Sequence, residues 1–68
     1  KITVRGIKIS AKPMYYYMYS AAGKLTKYGK VFTDAFDIDV SIIPRGLYII
    51  KVYDAYNKNV YTEKVTVQ

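Results

Sequence analysis

The 68-residue chain contains neither cysteine nor histidine. Disulfides, thiolate metal sites and cysteine nucleophiles are therefore excluded. The absence of histidine removes the side chain that most often acts as a general base. No secretory leader is visible, and no apolar run approaches the roughly 20 residues of a membrane-spanning helix. We therefore expect no enzyme activity, no catalytic residue, no metal site and no cofactor.

The short length limits the chain to one domain, covering residues 1–68. A chain of this size buries only about 60% of its unfolded surface, so its core needs good β packing, a neighbouring domain or self-association. The sequence begins at Lys1 within strand-like residues, and it ends at Gln68 within another such run. We expect a fragment of a longer protein in which the terminal residues are themselves used.

Eleven Lys and Arg against five Asp and Glu give a net charge of +6. Such an excess favours anionic partners such as nucleic acid, acidic glycan or lipopolysaccharide. The basic residues are dispersed, however, and the simpler interpretation is a solvated surface whose lysines protect sheet edges. No motif of an RNA- or DNA-binding module is present, so we expect no nucleic-acid partner.

Hydrophobic patterning predicts strands throughout the chain and no helix. The first contains Ile2 and Val4, and a shift of the apolar positions to Ile7 and Ile9 predicts a turn or bulge at Arg5-Gly6. The further predicted strands are residues 14–19, 25–32, 36–40, 47–53 and 60–67. Short strands separated by turns at this spacing indicate an antiparallel sandwich or a small barrel.

Two of these strands carry features of functional interest. Residues 36–40 alternate most cleanly, which places Asp37 and Asp39 on one face; we interpret them as the solvent side of the strand rather than as an acid–base pair or cation site. On residues 14–19, alternation places Tyr15, Tyr17 and Tyr19 on one side. That row is a candidate aromatic surface, although Tyr is also simply a favoured strand residue.

Three segments resemble the C-terminal sorting domains of the type IX, or Por, secretion system of Bacteroidetes. The specific block is residues 38–52, with the sequence IDVSIIPRGLYIIKV, which is similar to a family pattern of Ile-Asp-Leu-Ser-x-Leu-Pro-x-Gly-x-Tyr. Residues 18–26 resemble the family's Gly-Lys hairpin, and residues 64–68 resemble its Lys-Val-x-Val end. The chain differs from the family at Ser20, where Asp or Asn is usual.

The resemblance implies an all-β, small Ig-like antiparallel β-sandwich of about six to seven strands. It also implies an exported protein that passes through the periplasm to the cell surface or medium, behind an N-terminal passenger domain. The expected partners are the outer-membrane type IX translocon and a sortase-like surface protease, which usually removes the domain.

The residues expected to act in this role fall into two groups. Candidate translocon-recognition residues are Lys64, Val65, Thr66, Val67 and Gln68. Pro44, Gly46 and Tyr48 are expected to hold the turn that positions them. Two other functions stay open: a glycan- or surface-binding module that uses the tyrosine row, and a structural domain that packs on a neighbour or forms a homodimer.

Overall fold

The computed structural model describes residues 1–7 and 11–68. Those residues form two antiparallel sheets and contain no helix. The strands are β1 (Ile2–Val4), β2 (Met14–Ser20), β3 (Leu25–Val31), β4 (Phe36–Ile38), β5 (Gly46–Tyr53) and β6 (Asn59–Val67). The predicted all-β antiparallel sandwich of about six to seven strands is therefore confirmed, with six strands.

The larger sheet joins two hairpins in the order β3-β2-β5-β6. The β2–β3 hairpin turns at Gly23, whose φ of 86° favours glycine, and its amide donates to the Ser20 carbonyl at 2.9 Å. In the β5–β6 loop, the buried Asp54 carboxylate accepts hydrogen bonds from the amides of Tyr56 and Lys58, both at 2.9 Å. Each hairpin thus has a local turn signal, whereas the β2–β5 pairing between them is long-range.

The core lies between the larger sheet and a two-stranded sheet formed by β1 and β4. We call the covered side of the larger sheet the inner face. Met14 and Met18 of β2 and Ile50 and Val52 of β5 lie there with no exposed surface. The buried cluster also includes, from the smaller sheet and its surroundings, Val4, Ile7 and Ile38. Alternation along β2 therefore places the methionines on the inner face and Tyr15, Tyr17 and Tyr19 together on the opposite side.

The segment between β4 and β5 departs from the sequence prediction. β4 ends at Ile38 instead of continuing to Val40. The reason is a local turn: the Asp39 carboxylate accepts a hydrogen bond from the Ser41 amide at 3.0 Å, and the Ile43 amide donates to the Val40 carbonyl at 3.1 Å. The strand with the cleanest alternation in the sequence is thus one of the two shortest in the structure.

That turn also corrects the predicted position of the Pro-Arg-Gly turn. The hydrogen-bonded turn lies at residues 40–43, ahead of Pro44, and Gly46 is already the first residue of β5. β4 pairs with β1 rather than with β5, so residues 39–45 carry the chain from one sheet to the other.

The N-terminal prediction is partly within the described residues. Gly6 has a φ of 77° and follows the end of β1, which agrees with a predicted turn or bulge. Ile7 is buried. Ile9 lies outside the described residues.

The Tyr16 ring of β2 packs closely on Gly29 of β3. The two residues are directly opposite each other on β2 and β3, and a Cβ added to Gly29 would lie 2.6 Å from Tyr16 Cε2. The Tyr16 ring also packs on Phe36 of β4, with ring centroids 5.2 Å apart, so it has little room to move. Burial raises the pKa of the Tyr16 hydroxyl. Glycine at position 29 therefore allows one aromatic side chain to contact both sheets.

We predict that Gly29→Ala destabilises the domain by about 1–3 kcal/mol, because the added methyl group overpacks the Tyr16 ring. Urea unfolding of the wild type, Gly29→Ala, Tyr16→Ala and the double variant forms a double-mutant cycle. The Gly29→Ala penalty is expected to shrink in the Tyr16→Ala background. An equal penalty in both backgrounds would contradict the steric explanation.

Candidate recognition surfaces

The C-terminal candidate residues lie on β6, at one edge of the larger sheet. In the described part of the chain β6 pairs only with β5, so its other side offers backbone groups to a further strand. Lys64, Thr66 and Gln68 are exposed, Val65 is partly buried, and Val67 belongs to the core with 5% exposure. The segment thus combines one residue that anchors it with three that are accessible.

The turn-positioning candidates lie beside that segment. The Tyr48 side chain is 5% exposed, and its hydroxyl donates a 2.7 Å hydrogen bond to the Pro44 carbonyl. Gly46 has a φ of 151° and pairs with Val67, while Tyr48 pairs with Val65. The three candidates therefore lie at the entry to β5, and two of them, Gly46 and Tyr48, pair with the end of β6.

The three candidate tyrosines lie on the side of the larger sheet away from the core, which we call the outer face. Cross-strand register assigns the same side to Tyr28 and Lys30 of β3, Ile49, Lys51 and Tyr53 of β5, and Thr62, Lys64 and Thr66 of β6. Tyr15, Tyr17 and Tyr19 are themselves partly buried rather than fully exposed.

Aromatic contacts connect these tyrosines into one surface. The Tyr17 and Tyr19 ring planes are 28° apart with centroids at 6.5 Å, and Tyr17 meets Tyr53 edge to face at 5.8 Å. The Lys30 ammonium lies 5.9 Å from the centre of the Tyr15 ring, and the Lys51 ammonium lies 6.0 Å from that of Tyr19. The sequence alone does not indicate that these two lysines lie on one surface, because β3 and β5 are far apart in the chain.

A cleft of about 250 Å³ opens at one end of the outer face. Tyr19, Ile49 and Lys51 form its walls together with the β2–β3 turn at Ser20, Ala21 and Gly23. The turn was predicted from sequence, but the cleft depends on the β2–β5 pairing and was not.

The carboxylates take part in local contacts. The Asp37 carboxylate accepts a 2.7 Å hydrogen bond from the Thr3 hydroxyl and forms a 3.1 Å ion pair with Lys1, and these partners lower its pKa. Hydrogen bonds from Ser41 lower the pKa of Asp39, and the Lys27 ammonium donates to the Asp39 carbonyl. Within residues 1–7 and 11–68, no three acidic side chains converge in a way that could hold a metal ion.

Comparisons with known proteins identify no relative: no family model, no curated protein and no solved structure matches this chain. Among the described residues, no helix has the length and apolar character needed to span a membrane. Functional interpretation therefore depends on the geometry of the surfaces described above.

Loss of the Tyr48 hydroxyl should loosen the entry to β5. We predict that Tyr48→Phe lowers the free energy of unfolding by about 1 kcal/mol, because the Pro44 carbonyl loses its hydrogen-bond donor. Tyr56→Phe is the matched control, since Tyr56 is 83% exposed. Urea unfolding measures both variants, and equal stability of Tyr48→Phe and the wild type would contradict this role.

A second prediction concerns alkaline pH. Burial raises the Tyr61 pKa from 10.0 to about 12, assisted by the hydroxyl's hydrogen bond to Glu63 and the charge of that carboxylate. Because the folded-state pKa is the higher one, this contribution to stability is complete below pH 10 and is lost as the pH rises towards about 12. Tyr61→Phe should therefore lose less stability than the wild type over that interval.

Denaturant unfolding at several pH values between 9 and 12, chosen to span the Tyr61 pKa, compares the two proteins. Tyrosinate absorbance of the folded proteins provides an independent readout. In Tyr61→Phe, the one tyrosine that ionises only near pH 12 should be missing from the titration. Identical stability profiles with and without the Tyr61 hydroxyl would contradict the shift.

Proposed function

We propose that this chain is a type IX sorting domain, a non-enzymatic folded module that directs an N-terminal passenger across the outer membrane. The observation that supports this best is the pairing of Gly46–Ile49 of β5 with Lys64–Val67 of β6. These stretches belong to residues 38–52 and 64–68, two of the three segments that resemble the family, and the β5–β6 hairpin brings them together. Their adjacency makes one continuous structural unit of the two segments.

The proposal assigns different tasks to the two strands of this unit. Tyr48 is anchored by the core and by its bond to Pro44, so β5 is held firmly at the position where the chain enters the larger sheet. β6 takes its position from β5 through the ladder and through the buried Val67. A rigid β5 therefore presents the accessible side chains of β6 in a defined orientation, as recognition of a folded signal requires.

Strand addition is the recognition mode that this edge favours. The backbone groups on the outer side of β6 can pair with a strand of the translocon, which supplies affinity, while Lys64, Thr66 and Gln68 supply specificity. Glu63, paired opposite the buried Ile50, introduces a charge on the inner side of the same strand. A charge at that position discourages unselective edge-to-edge pairing.

In this proposal the domain acts in transit. The passenger and domain enter the periplasm, the translocon binds the β6 edge, and a sortase-like surface protease then removes the domain. The resulting location of the passenger is the cell surface or the medium.

A secretion assay in a type IX-competent host tests the proposal, with a reporter fused ahead of residues 1–68. The intact domain should deliver the reporter to the surface or medium, and deletion of residues 64–68 should leave it in the periplasm. Because that deletion also removes the buried Val67, a second variant, Lys64→Ala/Thr66→Ala, keeps the core residues of β6 intact. We expect it to reduce export severalfold with little change in stability.

The matched control is Lys58→Ala/Thr62→Ala, which removes the same two residue types from exposed positions in the β5–β6 loop and the first half of β6. Urea unfolding of both double variants establishes that they are equally folded. Undiminished export after deletion of residues 64–68, or equal export defects in the two double variants, would refute recognition of this segment.

A further inference from the structure

We infer that the outer face is a binding site for an acidic polysaccharide, whose anionic groups pair with Lys30, Lys51 and Lys64. This site lies on the outer face rather than along the backbone edge of β6. It shares Lys64 and Thr66 with the β6 segment proposed above, but it does not depend on the sorting role. The inference draws on charge, aromatic geometry and the cleft.

The charge of the outer face has one sign. Lys30, Lys51 and Lys64 lie on three different strands, and the register places them in successive rows across the sheet. None of the residues that the register assigns to this face is a carboxylate, and Glu63 points to the opposite side. Three ammonium groups therefore project from a surface on which no described strand residue neutralises them, which favours an anionic ligand.

The tyrosines between these lysines provide an apolar platform. Tyr17 contacts both Tyr19 and Tyr53, and all three rings are partly buried, so they are held in place and present limited, fixed surfaces. The C–H faces of sugar rings can pack on such surfaces while tyrosine hydroxyls exchange hydrogen bonds with sugar hydroxyls. Thr62 and Thr66, which are exposed on the same face, add two more hydroxyl groups.

The cleft gives the platform a defined end. Its volume of about 250 Å³ is just below the roughly 300–1,000 Å³ of typical small-molecule sites, so it suits one sugar residue rather than an oligosaccharide. Lys51 and Tyr19 line both the cleft and the platform. An acidic sugar in the cleft can therefore pair with Lys51 while the polymer continues across Tyr17 towards Lys30.

Two competing occupants fit this face less well. Stacking of successive nucleic-acid bases needs a row of free ring faces, but the ammonium groups of Lys30 and Lys51 lie over Tyr15 and Tyr19. Of the three platform rings, those of Tyr17 and Tyr53 have no ammonium group of a described residue over them, which is enough for one sugar ring but not for a row of bases. A second copy of the chain would bring the same three lysines into a self-complementary interface, where like charges repel. The carboxylate or sulfate of an acidic sugar can instead pair with the Lys30 and Lys51 ammonium groups in the positions they already occupy.

Binding of the purified chain to polygalacturonate and dextran sulfate, measured by isothermal titration at 150 mM NaCl, tests the site. Unmodified dextran is the neutral control polymer, and oligo(dT) represents nucleic acid. We expect binding to at least one acidic polysaccharide, none to dextran, and weaker binding to oligo(dT). Lys30→Gln/Lys51→Gln should weaken polysaccharide binding at least about tenfold, the equivalent of one charge-assisted contact.

The matched control is Arg5→Gln/Lys58→Gln, which removes the same net charge from exposed positions off the outer face. For the aromatic platform, Tyr19→Ala should weaken binding and Tyr56→Ala should not, with urea unfolding confirming that each variant is folded. Light scattering without polymer reports self-association.

Several results would overturn the inference: failure to bind either acidic polymer, equal losses in the two charge variants, or tighter binding to oligo(dT). A stable dimer that acidic polymer does not dissociate, and that Lys30→Gln/Lys51→Gln does not alter, would show that the face is covered by a second copy.

Discussion

The long-range pairing of β2 with β5 is the constraint on which the rest of the structure depends. It joins residues as distant as Tyr15 and Tyr53, and it converts two local hairpins into one sheet of four strands. A hairpin alone is at best marginally stable in water, whereas four strands with a covered face can sustain a core. The same ladder places Met18 beside Ile50 on the inner face and Tyr17 beside Lys51 on the outer face. The core and the candidate binding site thus both depend on the pairing of β2 with β5, on opposite faces of the same sheet.

The alternation of side chains along β2 determines which of them lie on the inner face and which lie on the outer face. A slip of one residue would exchange the methionines with the outer tyrosines and expose the core positions. Tyr16 is the one tyrosine of this strand on the inner side, and it is accommodated because Gly29 opposite has no side chain and Phe36 covers the ring. Overpacking at this contact should therefore disturb the spacing of the two sheets more than the chemistry of the outer face.

The sequence pattern alone predicts the strands of the larger sheet, but it does not predict where the chain leaves β4 and crosses to that sheet. The strands around Met18 and Ile50 follow from alternation and β propensity, which are local properties. The early end of β4 depends on a hydrogen bond that the Asp39 carboxylate accepts from the Ser41 amide. This bond competes with the strand pairing, and the apolar pattern of the sequence gives no sign of it. Likewise Lys30 and Lys51 look dispersed in the chain, and only the register brings them to one face.

The positions of the acidic residues explain why the positive charge of the outer face persists. Asp37 binds Thr3 of β1, and Asp39 binds the Ser41 amide just after β4. Asp54 accepts hydrogen bonds within the β5–β6 loop, and Glu63 accepts one from Tyr61 on the inner side of β6. These four carboxylates, out of five acidic residues in the chain, are committed to local contacts elsewhere. These acidic residues form turns or protect the edge of the sheet, and in those positions they lie off the outer face and cannot neutralise Lys51. The positive charge of the outer face is in this sense a consequence of where the turns and the β6 edge place the acidic residues.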